Sequence, residues 1–207
     1  MSRVHNSNEF LDLVRELEML EFPEFGTGHY VKSPEVLYHN NYSPSYHIRN
    51  GLLNRPIITD IKSNDRLVLS VGSGKAYLER FLVSRMDIRR EQIVLSDRDS
   101  YMPEGFRQFV FDMYGDWPDF GQKFDYVIFP QSLSIPDAPF PEKTDKLCHI
   151  VRCSLKTLKP RGQVRIDGHF LSDLVLTYVK GLLEYESKLR LTYSKDAIIV
   201  KRLGRGS

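Results

Sequence analysis

The stretch LVLSVGSGKAYLERFL (residues 67–82) runs an apolar segment into a glycine-rich turn and then directly into a helical pattern. A strand–turn–helix of this kind can cradle a nucleotide-like ligand on its turn, or simply reverse the chain. Two phosphate-binding readings fail on the residues. A phosphate-binding loop needs a glycine where Leu69 stands and a hydroxyl where Ala76 follows Gly74-Lys75. The dinucleotide fingerprint is met by Gly72 and Gly74, but Tyr77 occupies its third glycine position, where a bulky residue hinders close backbone approach.

The 207 residues, 41% of them hydrophobic, suffice for one well-packed core. Charge is nearly balanced, with 29 basic and 27 acidic residues, so nothing global demands nucleic acid or an anionic membrane. Residues 1–65 hold six Lys/Arg and nine Asp/Glu, a net of −3, which leaves +5 for the remainder. Cys148 and Cys153 sit five apart in a predicted helix, the wrong spacing for a C-x-x-C site, and point to a reducing, cytoplasmic compartment. The first residues lack an apolar signal core, and no run approaches 18 apolar residues, so neither a signal peptide nor a membrane span is expected.

Phe10, Leu13, Val14, Leu17 and Leu20 recur at helical spacing, with Asn6 and Glu9 as a capping-box start and Pro23 as the stop. SPEVLYHN and SPSYHIRNGLLNRP each open with Ser-Pro, a helix start with Ser as cap and Pro at the first position. Two short helices joined by loops are expected between Pro23 and Asp65. Beyond Asp65 the chain alternates. RLVLSV, QIVLS, RQFVF, FDYVIFP and GQVRIDG read as strands. KAYLERFLVSRM, EKTDKLCHIVRCSLKTL and LSDLVLTYVKGLLEY read as helices, and KLRLTYS with DAIIVKRL reads as a closing hairpin. Strands alternating with helices imply an α/β protein with a mostly parallel sheet, and the hairpin adds an antiparallel edge.

Asp97 ends the second strand some 20 residues past the turn, where a carboxylate can accept both hydroxyls of a ribose. Asp112 ends the third, where a carboxylate can accept from an exocyclic amine. Each acid can equally cap its own turn. Their order along the chain favours a ligand, because open α/β sheets bind ligands outside the carboxyl ends of their strands.

With these residues in place, the sequence resembles the class I S-adenosylmethionine-dependent methyltransferases over roughly residues 60–203. The resemblance rests on VLSVGSGKAYLERFL, IVLSD, FVFDMYGDWPDFGQKFDYVIFPQSL and SLKTLKPRGQVRIDG. It implies a Rossmann-like, doubly wound seven-stranded sheet over residues 66–207, with residues 1–65 as a helical N-terminal extension or lid. It further implies S-adenosylmethionine as cofactor, with Gly72, Ser73 and Gly74 beneath its methionine part. Asp97 then falls on the ribose, and Asp112 with the backbone of Met113 on the adenine. Ala76 departs from the family's frequent third glycine but is small enough for the turn, and Lys75 either meets the cofactor carboxylate or points to solvent.

In-line methyl transfer needs positioning above all, and a base only where the nucleophile carries a proton. Pro130, Gln131 and Ser132 stand where the resemblance places the sulfonium-facing segment. They lack the base-amino motif, the cytosine nucleophile Cys and the ribose-2′-O Asp. Gln131 is the candidate polar contact, and His169 after strand five is the candidate general base, with Asp167 as its orienter or a buried strand residue. His149, inside a helix, reads as structural. Tyr30, Tyr38, Tyr42 and Tyr46, beside His29, His39 and His47, form the candidate substrate lid, or else pack onto the sheet. The histidines lack metal-ligand spacing, so no metal is expected. The methyl acceptor and the oligomeric state are left unassigned by these motifs. The competing reading is a non-catalytic scaffold of the same fold that acts through its N-terminal region.

Overall fold

The computed structural model describes residues 2–22, 43–99, 102–130, 140–167, 177, 179–181, 189–194 and 197–202. Among the described residues three helices precede the first strand: α1 (Ser2–Glu21), α2 (Pro44–Arg49) and α3 (Arg55–Ser63). There follow β1 (Val68–Val71), α4 (Tyr77–Met86), β2 (Ile93–Asp97), β3 (Arg107–Val110), β4 (Phe124–Phe129), α5 (Phe140–Thr157), β5 (Leu158–Asp167), β6 (Leu189–Ser194) and β7 (Ala197–Arg202). The seven strands form one sheet in the order β3, β2, β1, β4, β5, β7, β6. Pairing is parallel from β3 through β5, and β7 runs antiparallel to both β5 and β6. This is the doubly wound sheet with an antiparallel C-terminal pair that the sequence implied.

Strands β1 and β4 are buried along their whole length, as their unbroken apolar runs require of a sheet covered on both faces. Alternate residues divide between two cores. Val68, Ile93, Leu95, Tyr126 and Ile128 face α1 to α4, packing with Val14, Phe22, Leu52, Leu53, Ile61, Phe81 and Leu82. Leu69, Val71, Val94, Val127 and Phe129 face α5, packing with Leu147, Ile150 and Val151. Burying a side chain of this size contributes about 1.5–3 kcal/mol, so each layer is tied to the sheet many times over.

The N-terminal helices differ in detail from the expectation. Helix α1 is already under way at Asn6, so Asn6 and Glu9 do not form its cap. Only part of its apolar stripe faces the sheet: Val14 is buried, whereas Leu13 and Leu20 are exposed. Ser43 caps α2 as predicted, its Oγ accepting from the Tyr46 N–H at 3.3 Å. The sequence reading missed α3. Its signals are Asn54, whose side chain caps the Ile57 N–H at 3.1 Å, a proline in the first turn, and Ile57, Ile58 and Ile61 on one buried face. The predicted helix at SPEVLYHN lies outside the described residues. Of the one at LSDLVLTYVKGLLEY, only residues 177 and 179–181 are described, and these are helical.

Candidate functional site

The carboxyl ends of β1, β2 and β3 lie side by side, because these strands are parallel neighbours in the sheet. The turn after β1 is built from three left-handed residues at alternate positions: Gly72 (φ 70°), Gly74 (φ 53°) and Ala76 (φ 54°). A left-handed non-glycine is uncommon and costs free energy, so the surroundings must hold Ala76 in place. They do so through a dense set of bonds to the end of β2. The Gly72 and Ser73 N–H groups both donate to the Ser96 carbonyl, at 2.8 and 3.0 Å. The Gly74 N–H donates to Asp97 Oδ2 at 2.8 Å. The turn therefore presents only Lys75 to solvent, an exposed side chain, above buried Gly72, Ser73 and Gly74.

Asp97 is half-buried. Besides Gly74 it receives the Asp99 N–H on Oδ1 at 3.3 Å, so it caps two turns while keeping lone pairs toward the strand ends. Asp112 is exposed, and its Oδ1 accepts from the Tyr114 N–H at 3.0 Å in an Asx turn. Asp97 thus ends β2 as expected, Asp112 lies two residues past the end of β3 rather than at it, and both carry the capping role weighed against ligand binding. Met113 follows Asp112, half-buried, and its carbonyl accepts from Trp117 Nε1 at 2.9 Å. The same loop is pinned from below by α5. His149 Nε2 lies 3.0 Å from the Gly115 carbonyl, which can only accept, so this nitrogen carries the proton. His149 is accordingly a structural residue, as the sequence suggested, and it supports the loop that carries Asp112 and Met113.

Pro130 is buried at the carboxyl end of β4. Gln131, His169, Tyr30, Tyr38 and Tyr42 lie outside the described residues. Tyr46 is half-buried on α2, edge-on to the His47 ring at a centroid distance of 5.6 Å, with the Arg49 guanidinium 5.6 Å above its own ring. Tyr77, the residue that breaks the dinucleotide fingerprint, opens α4 and packs edge-on against Phe22, just past the end of α1, at 5.1 Å.

Two features escaped the sequence reading. The first is Glu79, fully buried in the first turn of α4 and hydrogen-bonded to the Ser70 hydroxyl. Burial pushes its carboxyl up to about 7, and the nearby Asp97 carboxylate adds to the shift. The second is buried Arg165, on the helix-covered face of β5 that it shares with Asp167, a residue the sequence did single out. Arg165 donates from Nη2 to the Gly51 carbonyl at 2.7 Å and from Nε to that of Leu52 at 2.5 Å. Two residues on, Asp167 Oδ2 lies 3.5 Å from Nδ1 of His47 on α2. An arginine and an aspartate inside a strand, two apart, signal a shared buried face, but their partners are distant in the chain. Among the described residues no group of acids, histidines and cysteines could hold a metal ion.

No protein-family profile and no curated protein sequence matches the chain. Solved structures do. An S-adenosylmethionine-bound amino pentose methyltransferase of calicheamicin biosynthesis from Micromonospora echinaspora superposes with a TM-score of 0.53 at 11% identity. The match spans 82% of this chain and 96% of that one. Human N-acetylserotonin methyltransferase, also in complex with S-adenosylmethionine, matches at TM-score 0.49 and 16% identity over 76% of this chain and 52% of its own. DesVI of Streptomyces venezuelae matches at 0.48 and 11%, over 69% and 86%. With the strand order, the antiparallel last pair and the glycine turn after β1, the chain has the fold of the class I S-adenosylmethionine-dependent methyltransferases.

Proposed function

We propose that the protein is an S-adenosylmethionine-dependent methyltransferase whose acceptor is a small molecule in preference to a protein. The observation that carries this reading is the alignment of three neighbouring strand ends. Side by side they present the left-handed turn Gly72–Ala76, the Asp97 carboxylate bonded to that turn, and Asp112 on its own Asx turn. The donor set fits the cofactor. The turn residues Gly72, Ser73, Gly74 and Ala76 have small side chains or none, and both acids keep acceptor capacity for hydroxyl and amine groups.

When bound, the cofactor supplies an electrophilic methyl group. Gly72, Ser73 and Gly74 then support its methionine part, Asp97 accepts from the ribose hydroxyls, and Asp112 with Met113 orients the adenine. Pro130 closes the site beside β4. Gln131 contacts the acceptor, and His169 accepts its proton where the nucleophile carries one. Tyr30, Tyr38, Tyr42 and Tyr46 cover the acceptor and exclude water. Cys148 and Cys153 are free thiols, which supports a reducing, cytoplasmic setting. Among the described residues no helix is long and apolar enough to cross a membrane.

Calorimetric titration with S-adenosylmethionine and S-adenosylhomocysteine tests the reading. Dissociation constants below ~100 µM are expected, equivalent to more than about 5 kcal/mol of binding free energy. Absence of binding to the folded protein would overturn it in favour of a scaffold that keeps the fold without the cofactor.

A further inference from the structure

The glycine turn rests on a buried acid. Glu79 is 1% exposed, and its Oε1 takes the Ser70 hydroxyl of β1. Its Oε2 is buried without a hydrogen-bond partner among the described residues. Ser70 is wired onward to the site. Its carbonyl accepts from Ser96 Oγ at 3.1 Å, and the Ser96 carbonyl holds the Gly72 and Ser73 N–H groups. Asp97, the other acid of this network, holds the Gly74 N–H.

Among the described residues no cation offsets the pair. Of the charged residues on elements packed against α4, Glu18 of α1 is engaged by the Ser45 N–H, and Glu21 by Arg85. On α2, His47 faces Asp167 and Arg49 lies over Tyr46. On α3, Lys62 is paired with Asp87, and Asp60 with Arg66. The one charge that acts on Glu79 is Asp97, and it repels. A buried carboxyl with a repelling neighbour and one unsatisfied oxygen is costly to ionise, and a positive charge seated on the turn would relieve that cost.

We propose that Glu79 is the charge-recognition residue of the glycine-turn site, giving up its proton when a positively charged ligand occupies the turn. This rests on the cofactor reading above. The exchange balances simply: the neutral acid and the cationic ligand become a carboxylate–cation pair, and the proton leaves to solvent. Cofactors with a charged methionine part would then bind with proton release, whereas uncharged adenosine, which reaches only the strand-two and strand-three acids, would not. The choice of ligand would be made partly beneath the turn.

The test is calorimetric titration of wild type and Glu79→Gln with S-adenosylmethionine, in two buffers of different ionisation enthalpy, from about pH 6 to pH 8. Wild type is expected to release about half a proton per ligand near pH 7, and its affinity to rise severalfold across the range. Glu79→Gln should lack this component, with any exchange by the ligand itself left over. Adenosine should give equal proton counts in both proteins. Should Glu79→Gln fail to fold, Ser70→Ala serves, because loss of the hydroxyl donor moves the midpoint of proton release to higher pH. Tight binding with equal proton counts in wild type and variant, or an unmoved midpoint in Ser70→Ala, overturns the role of Glu79 alone. Absence of S-adenosylmethionine binding to wild type overturns the cofactor reading and takes this inference with it.

Discussion

Nδ1 of His47 on α2 stands 3.5 Å from Oδ2 of Asp167 at the carboxyl end of β5, with both side chains buried. The two atoms lie within ion-pair distance but form no hydrogen bond with each other; it is Arg165, two residues earlier on the same strand face, that fastens the α2–α3 segment to the sheet. Burial lowers the Arg165 guanidinium to about 10, still charged at neutral pH, and the two backbone carbonyls it donates to satisfy it in place of a carboxylate. His47→Ala removes a buried ring beside the Asp167 carboxylate and should cost about 2 kcal/mol of stability through the cavity it leaves. In a double-mutant cycle with Asp167→Ala, the coupling should be about 1 kcal/mol or more. Additive losses in urea unfolding would show that the two groups do not act as a pair.

Ala76 occupies a left-handed conformation that glycine adopts without strain. Its buried methyl offsets part of that cost, about 0.8 kcal/mol for one carbon. Ala76→Gly is therefore expected to be neutral or stabilising by up to about 1 kcal/mol, the opposite of the usual loss when glycine replaces alanine. A thermal-unfolding loss beyond about 1 kcal/mol would mean that the Ala76 methyl packs better than its backbone is strained. Either way, the residue at which this chain departs from the family's glycine pattern still adopts a glycine-like conformation.

Local signals carried the sheet and the turn; long-range pairings did not. The strand ends near Asp97 and Asp112 were legible because alternation and spacing fix where a parallel strand stops. Helix α3 was lost because its start signal, Asn54 with Pro56, falls at the end of the SPSYHIRNGLLNRP run that was read as one helix and its loop. Glu79 was invisible for a different reason. A glutamate in the first turn of a helix is ordinarily a solvated residue that complements the helix dipole. Only the packing of α4 against β1 turns it into a buried acid beside the Ser70 hydroxyl. Asp167 was recognised as a strand residue of uncertain role, but its partner lies 120 residues away on α2, a distance no local pattern can bridge.

Asp97 has two tasks, and its mutants should separate them. Asp97→Ala removes the acceptor for ribose hydroxyls and should weaken S-adenosylhomocysteine binding by about 2–3 kcal/mol. It also strips the Gly74 N–H of its partner, so stability should fall by about 1 kcal/mol, although an acid facing a cleft would otherwise contribute little packing. Asp97→Asn retains a carbonyl oxygen for Gly74 and should recover most of the stability but only part of the affinity. Unchanged affinity in Asp97→Ala would shift the ribose contact to Asp99.

The raised Glu79 carboxyl also predicts how stability responds to pH. Its ordinary value is 4.5 and its folded value about 7, so the folded protein holds this proton more tightly than the unfolded chain. The resulting stabilisation is full below about pH 4.5, declines as pH rises toward 7 and is gone above it. The span is up to about 3 kcal/mol. Glu79→Gln keeps an acceptor for Ser70 and cannot ionise, so its unfolding free energy should decline less between pH 5 and pH 8. Other groups titrate alike in both proteins, and parallel curves would show that Glu79 ionises without penalty.

The N-terminal region separates into a part that packs and a part proposed to cover the acceptor. Val14 and Phe22 are buried in the cluster that holds Leu78, Phe81 and Leu82 of α4, and Arg80 lies 4.9 Å above the Phe22 ring. Deleting residues 1–42 therefore removes core, not merely a cover. Losing one buried aromatic alone costs about 3–5 kcal/mol, against a typical total of 5–15 kcal/mol for a domain. The truncated protein is expected to unfold or aggregate. The lid proposal is then best tested in the full chain. Replacing Tyr30, Tyr38 and Tyr42 together by alanine should leave unfolding and S-adenosylhomocysteine affinity nearly unchanged. In the intact protein, hydrogen exchange of residues 28–42 should slow when that ligand is added, while α2 and α3 exchange at the same rate with and without it. A truncation that folds and binds normally would make α1 dispensable. Exchange of residues 28–42 that ignores the ligand would remove the lid and leave the acceptor surface to the ends of β4 and β5.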